Sequence, residues 1–245
     1  MKYRINFSTG YHQYDAYHYV ILTNVKIFQF PHSTCCIIGQ HALCGKEKLI
    51  VSEYKRFWRQ NKLGCHMINT NSLLIRELVP EDWKEMQDIV LNFQKSEYAI
   101  YDMPLPARDE EIEALTKQFA ESHLFFAVIF DGIMIGYVCF HEKDGIFDLG
   151  YCFHSDVQGK GYANEACSAI MEYIEKTRTV KAFTSGTALK NIPSCKLLEK
   201  LGFVLTETES LSFHKDGHGK DIVFEGGIFI KRTGVMENYD NCKNN

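Results

Sequence analysis

The sequence predicts an α+β domain over residues 67–232, built on a single mixed, mostly antiparallel sheet flanked by helices. Three observations predict it. Regular apolar periodicity begins only near Met67, Asp-Gly pairs separate a run of three short strands, and strands do not alternate with helices as parallel βαβ units require. With 45% hydrophobic and 24% charged residues the 245-residue chain has an ordinary globular composition. No stretch approaches the roughly 18 uninterrupted apolar residues of a membrane span.

Residues 72–78, Ser-Leu-Leu-Ile-Arg-Glu-Leu, read as the first strand. Pro80-Glu81-Asp82 opens an amphipathic helix with Trp83, Met86, Ile89, Val90 and Phe93 on its apolar side, because proline and acids suit a first turn. A loop carrying Tyr98, Tyr101, Pro104 and Pro106 leads to a second helix near Arg108. Three strands follow: 124–130, ending at Asp131-Gly132; 133–141, ending near Asp144-Gly145; and 146–153. Beyond a glycine loop the pattern predicts a helix over 162–176 and a strand over 180–185. A short helix over 193–201 then stops at Gly202, placed as a left-handed cap. Two last strands, about 203–209 and 222–231, flank a polar loop.

Residues 1–66 show no sustained periodicity and read as an extension of uncertain structure; 233–245 read as a tail. A loose extension, an accessory subdomain and upstream sequence from a mistaken start all stay open, with catalysis expected to proceed without residues 1–66. The start, Met1-Lys2-Tyr3-Arg4, lacks the compact apolar run of a secretory signal. Nine cysteines without repeated pair spacing suggest reduced thiols in a cytoplasmic protein. Cys35, Cys36, His41, Cys44, Cys65 and His66 lack the paired spacing of a zinc module, so no metal is expected. Charge is uneven: residues 1–66 carry nine Lys/Arg against three Asp/Glu, residues 67–232 seventeen against twenty-six. An acidic domain repels nucleic acid and favours cationic partners; ordinary solubility charge explains it equally well.

The segment from Tyr151 to Ala166 carries the chemistry. A strand ends, Gln158-Gly159-Lys160-Gly161-Tyr162-Ala163 curves tightly, and a helix begins. That geometry points successive N–H groups and the positive helix end at one spot, where a phosphate can sit. A lone Gly-x-Gly is usually only a turn. Here the segment resembles motif A of the GNAT superfamily of N-acetyltransferases, and residues 191–203, Asn-Ile-Pro-Ser-Cys-Lys-Leu-Leu-Glu-Lys-Leu-Gly-Phe, resemble that superfamily's second signature. The resemblance spans about 72–231 and is nearest to the branch that includes ribosomal-protein alanine acetyltransferases and many small-amine acetyltransferases.

That resemblance implies the GNAT fold and acetyl-CoA as co-substrate. Gln158, Gly159, Lys160, Gly161, Tyr162 and Ala163 would offer backbone amides to the CoA pyrophosphate, with Asn164 in the helix's first turn. Cys152 and Phe153 would end a strand that splays from its neighbour and pair through their backbones with pantetheine. Asn191 and Ser194 would lie near the pantetheine arm and thiol. Asp148 stands where relatives often carry Glu, and is the candidate base; a structural acceptor is its other reading. A backbone N–H near Phe153 is the candidate oxyanion donor. Cys152 and Cys195 read as structural thiols. Two positions depart from the pattern: Asp156 stands where Gln or Arg is common, and Leu198 where many relatives place a tyrosine that protonates the leaving thiolate. Ser194, water, another tyrosine or no acid at all would have to serve.

Acceptor choice should come from the loop over 95–106, where Tyr98, Tyr101 and Asp102 suit a cationic amine, and from the final hairpin, with His214, Asp216, His218 and Asp221. The expected activity is direct acetyl transfer to a primary amine of a small molecule or a protein N-terminus, with neither nucleic acid nor membrane as partner. A non-catalytic acyl-CoA-binding module of the same fold is the alternative. A homodimer, common in that superfamily, stays open.

Overall fold

Thr70 folds the first described segment back on itself. In the computed structural model, which describes residues 67–233, its hydroxyl accepts from the Leu73 N–H at 2.9 Å and donates to the Leu73 carbonyl at 3.2 Å. The chain therefore forms two paired strands, β1 (Met67–Asn69) and β2 (Leu74–Glu77), where the apolar pattern alone suggests one. The readings of residues 1–66 and of the tail from 234 lie outside the described residues.

A 3-10 turn, Pro80–Asp82, leads into α1 (Trp83–Gln94), which buries Met86, Ile89 and Val90. Buried Asp82 holds the junction. Its two oxygens accept from the Arg76 guanidinium at 2.7 Å each, and one also takes the Val79 N–H at 2.9 Å. Removing one partner of such a buried pair costs about 3–5 kcal/mol. Helix α2 (Asp109–Glu121) starts with three acids and packs Ile112, Leu115 and Phe119 inward.

The meander is β3 (Phe125–Phe130), β4 (Ile133–Lys143) and β5 (Ile146–Phe153). Both Asp-Gly turns have positive φ at both residues, 48° and 82° at Asp131-Gly132, 55° and 82° at Asp144-Gly145, which matches the twist of a two-residue hairpin. Then come α3 (Tyr162–Thr177), β6 (Ala182–Ala188), α4 (Ile192–Lys200), β7 (Val204–Lys215) and β8 (Asp221–Arg232). Gly202, at φ 87°, ends α4 as expected: its N–H reaches the Glu199 carbonyl, and the Phe203 N–H reaches that of Leu198.

One eight-stranded sheet results, in the order β1-β2-β3-β4-β5-β6-β8-β7, antiparallel except between β5 and β6. The last two strands run longer than their apolar pattern suggests. Ser210 to Lys215 still pairs back to Glu225 to Asp221, so the polar loop shrinks to residues 216–220, and His214 and Asp221 lie on strands.

Two apolar clusters cover the two faces of the sheet. One packs α3 and α4 residues Cys167, Ile170, Met171 and Leu198 on Phe147, Leu149 and Phe183. The other packs α1 and α2 on Phe125, Ala127, Tyr137 and Cys139. No helix among the described residues is long and apolar enough to cross a membrane.

Candidate active site

Strand β5 pairs with β4 along its whole length, from Ile146 to Phe153, but with β6 only from Ile146 to Asp148. Beyond that point the two strands part. Alternation decides which backbone groups face the opening. The His154 N–H bonds the Ile135 carbonyl of the β4 side at 2.9 Å, so the backbone of Cys152, two residues back, also turns to β4, opposite Tyr137. Leu149, Tyr151 and Phe153 turn the other way. Ser185 takes the Leu149 carbonyl at 2.8 Å, which leaves the backbones of Tyr151 and Phe153 along the gap. Of the two adjacent residues expected along the pantetheine, Phe153 turns its backbone to the gap with Tyr151, while Cys152 turns its own to β4.

The glycine loop lies just past the open end of β5. A 3-10 turn, Ser155–Val157, precedes Gly159 at φ 75° and Gly161 at φ 88°, and a side chain built on either glycine would meet nothing within 4 Å. The first bond of α3 runs from the Glu165 N–H to the Gly161 carbonyl. The N–H groups of Tyr162, Ala163 and Asn164, ahead of it, have no carbonyl one turn behind them, so they and the positive helix end present an anion seat to open space. Gln158 and Lys160 are exposed there, while Tyr162 packs its ring on Phe130 at 4.8 Å and offers only backbone, beside half-buried Ala163 and Asn164.

Two residues that the sequence did not single out hold this loop. Asn92, near the end of α1, donates to the Ser155 hydroxyl at 3.0 Å and accepts the Ser155 N–H at 2.9 Å. Glu165, in the first turn of α3, accepts the Ser72 N–H at 2.8 Å. Burial works against the Glu165 charge, but bonds from Thr70, Ser72 and Asn71 outweigh it and hold the carboxyl below its usual value.

The side chains of β5 divide the gap's surroundings into two faces. Tyr151 and Phe153 point with Phe147 and Leu149 toward α3 and α4. There the Asn191 side chain caps α4, accepting the Ser194 N–H at 3.3 Å, and the Ser194 hydroxyl meets the Tyr151 hydroxyl at 2.7 Å. Burial pushes the Tyr151 phenol up, against the opposing bond from Ser194. Leu198, fully buried, carries no polar atom toward the gap.

Asp148, Gly150 and Cys152 point to the opposite face. Asp148 sits where β5 and β6 part, accepts the Thr184 hydroxyl at 2.8 Å and lies across from His141. It is deeply set yet still partly accessible; burial raises its pKa, and Thr184 and His141 oppose the rise. Burial also raises the Asp102 pKa, against the Met103 N–H at 2.7 Å and nearby His214. Burial and Asp102 push the Cys152 thiol up to about 12, which makes it a poor nucleophile. His214 bonds the Asp102 carbonyl at 2.8 Å, and Tyr101 meets Phe224 edge-on at 5.3 Å, so the 95–106 segment is fastened to the last hairpin. Asp216 instead closes its own turn, taking the N–H groups of His218 and Lys220, and Asp221 pairs with Lys215. A depression of about 390 Å³ bordered by Glu142, Arg178 and Lys181 lies at the other end of β5 and has no part in this arrangement.

Residues 72–204 match the model of the acetyltransferase (GNAT) domain. The chain belongs to the GNAT acetyltransferase family. Acetyl-CoA is the co-substrate of GNAT acetyltransferases. The uncharacterized N-acetyltransferase YnaD of Bacillus subtilis is 29% identical over 143 residues, 55% of this chain and 81% of that protein. Among solved structures, ribosomal-protein-S5-alanine acetyltransferase from Vibrio fischeri is similar at TM-score 0.59 and 17% identity, over 69% of this chain and 98% of that one. The ribosomal L7/L12 α-N-protein acetyltransferase RimL, solved with coenzyme A, is similar at 0.58 and 14%, over 68% and 98%.

Proposed function

We propose that this GNAT protein transfers acetyl from acetyl-CoA directly to a primary amine of a small molecule or a protein N-terminus. The observation that carries the reading is the single opening between β5 and β6, which has an anion seat at one end and a partly accessible carboxylate, Asp148, where the strands meet.

In this reading the amides from Gly159 to Asn164 hold the pyrophosphate, with side-chain help from Gln158 and Lys160. The backbones of Tyr151 and Phe153 take the pantetheine amides as a strand edge takes a partner, and Asn191 flanks that arm. The amine enters from the α1/α2 face, past Tyr101 and Asp102, whose negative charge favours a cation. Asp148 removes the ammonium proton; its raised pKa brings it nearer the operating pH and makes it a stronger base. The Phe153 N–H receives the oxyanion that forms as the amine attacks. Alignment supplies roughly 7–11 kcal/mol of the barrier, and one oxyanion donor about 3 more.

Calorimetry with acetyl-CoA, followed by thiol release across polyamines, aminoglycosides and N-terminal peptides, tests the proposal. Binding and release with one acceptor class are expected. Binding without release from any amine favours the non-catalytic module, and failure to bind overturns both readings.

A further inference from the structure

The hydrogen bond between Tyr151 and Ser194 joins β5 to the helix that follows β6, so it spans the opening on its α3/α4 side. Its surroundings are otherwise apolar, with Leu149, Phe153, Leu197 and Leu198 in the same cluster. Ser194 has no capping duty, because Asn191 already caps α4. Its hydroxyl has one proton and two lone pairs. Either hydroxyl can give the shared proton, and the Tyr151 hydroxyl also reaches the Ser194 carbonyl at 3.4 Å. A phenol is intrinsically the stronger acid of the two, so in the relay the proton passes from Tyr151 to Ser194. The Ser194 proton is then left to point elsewhere along the gap.

We propose that Tyr151 is the proton source for the departing CoA thiolate, acting through the Ser194 hydroxyl. The inference rests on the acetyl-transfer reading above. As the carbon–sulfur bond breaks, its electron pair goes to sulfur. Ser194 gives its proton to sulfur while its oxygen takes the proton of Tyr151. The phenolate recovers a proton from water, and the second proton of the attacking nitrogen passes to water as the amide forms. Asp148 returns to water the one it took from the ammonium, so the chain ends unchanged and one proton is released overall. Burial disfavours a free phenolate; the two transfers therefore accompany bond cleavage and do not precede it. Ser194 is the group that touches sulfur, and Tyr151 is the residue that positions and supplies it.

The test uses the full 245-residue chain with Tyr151→Phe and Ser194→Ala, each with acetyl-CoA and with CoA alone. Tyr151→Phe is expected to lower kcat about 100-fold, the size of a lost general acid, with the KM for acetyl-CoA within about threefold of wild type. The second readout needs no turnover: the thiolate absorbance of bound CoA, titrated against pH. In wild type the Ser194 donor stabilises the thiolate, and in Tyr151→Phe the midpoint should rise by about one unit, a tenfold change. Ser194→Ala should reproduce both effects, and Ser194→Thr, which restores a hydroxyl, should recover most of kcat. A kcat within twofold of wild type in Tyr151→Phe, or an unmoved midpoint in a variant that binds CoA normally, overturns the inference. Should Tyr151→Phe fail to fold, Ser194→Ala alone decides by the same two readouts. Wild-type protein that binds no CoA overturns the parent reading, whereas active wild type with unaffected variants overturns this inference alone.

Discussion

The two faces of β5 are built from alternate residues of one eight-residue strand, yet they hold opposite chemistry. Phe147, Leu149, Tyr151 and Phe153 turn to α3 and α4, where the polar side chains near the gap, Asn191 and the Tyr151–Ser194 pair, are neutral. Asp148 and Cys152 turn to α1 and α2, where Asp102, His141 and His214 gather. A strand repeats every two residues, so a single short segment can wall one chamber with neutral groups and the other with charge. On the proposed reading that difference is a division of labour: one side suits a leaving group that must gain a proton, the other a cation that must lose one.

The sharpest way to break that division is Asp148→Asn. It should lower kcat/KM about 100-fold or more while leaving acetyl-CoA affinity unchanged, measured by steady-state kinetics beside calorimetry. The pH profile gives the sign. Burial raises the Asp148 pKa, so activity should fall as pH drops through a value above the ordinary 3.8, and the substitution should remove that limb. An acid limb that persists in the variant assigns the base elsewhere.

Gly161→Ala comes next in size and strikes the cofactor side alone. Forcing a Cβ at φ 88° costs about 1–2 kcal/mol, which should weaken acetyl-CoA roughly tenfold and spare the acceptor KM. Asn92→Ala removes both bonds to Ser155; at about 1 kcal/mol it should raise the acetyl-CoA KM about fivefold. The smallest effect belongs to Glu165→Gln. Glu165 has a depressed pKa when folded, so it stabilises the protein above its unfolded value and loses that contribution as pH falls through the folded one. The Tm advantage of wild type over Glu165→Gln should therefore hold from neutral pH down to the ordinary carboxylate value of 4.5 and shrink as pH falls further, through the lower folded value.

Much of this arrangement was legible where local chemistry sets local structure. The Asp-Gly turns, the Gly202 cap and the Gly159–Gly161 loop each need a backbone conformation that few residues adopt, and each lies where its residues imply. Pairing across distance was less legible. Thr70 splits the first strand through a side-chain bond that hydrophobic pattern does not register. The polar face of β7, Ser210, Ser212 and His214, hides a strand that pairs to its end. Cys152 and Phe153 were distinguishable only once the β4 register fixed which backbone turned to the gap. Asn92 and Ser155 are 63 residues apart, and no spacing rule joins them. Tyr151 was closer to view, since its parity with Phe153 already placed both on one face of β5.

Asn92 has a further consequence. Three residues after it the chain enters the segment bearing Tyr101 and Asp102, and that segment is tied at its far side by His214 and Phe224. On the proposed reading the acceptor wall is thus a strap buckled at both ends, one buckle being the loop proposed to hold CoA. Much of the disorder an amine would otherwise have to remove is gone before it arrives, and slackening either buckle should reach the amine through entropy, without a single contact to it being cut.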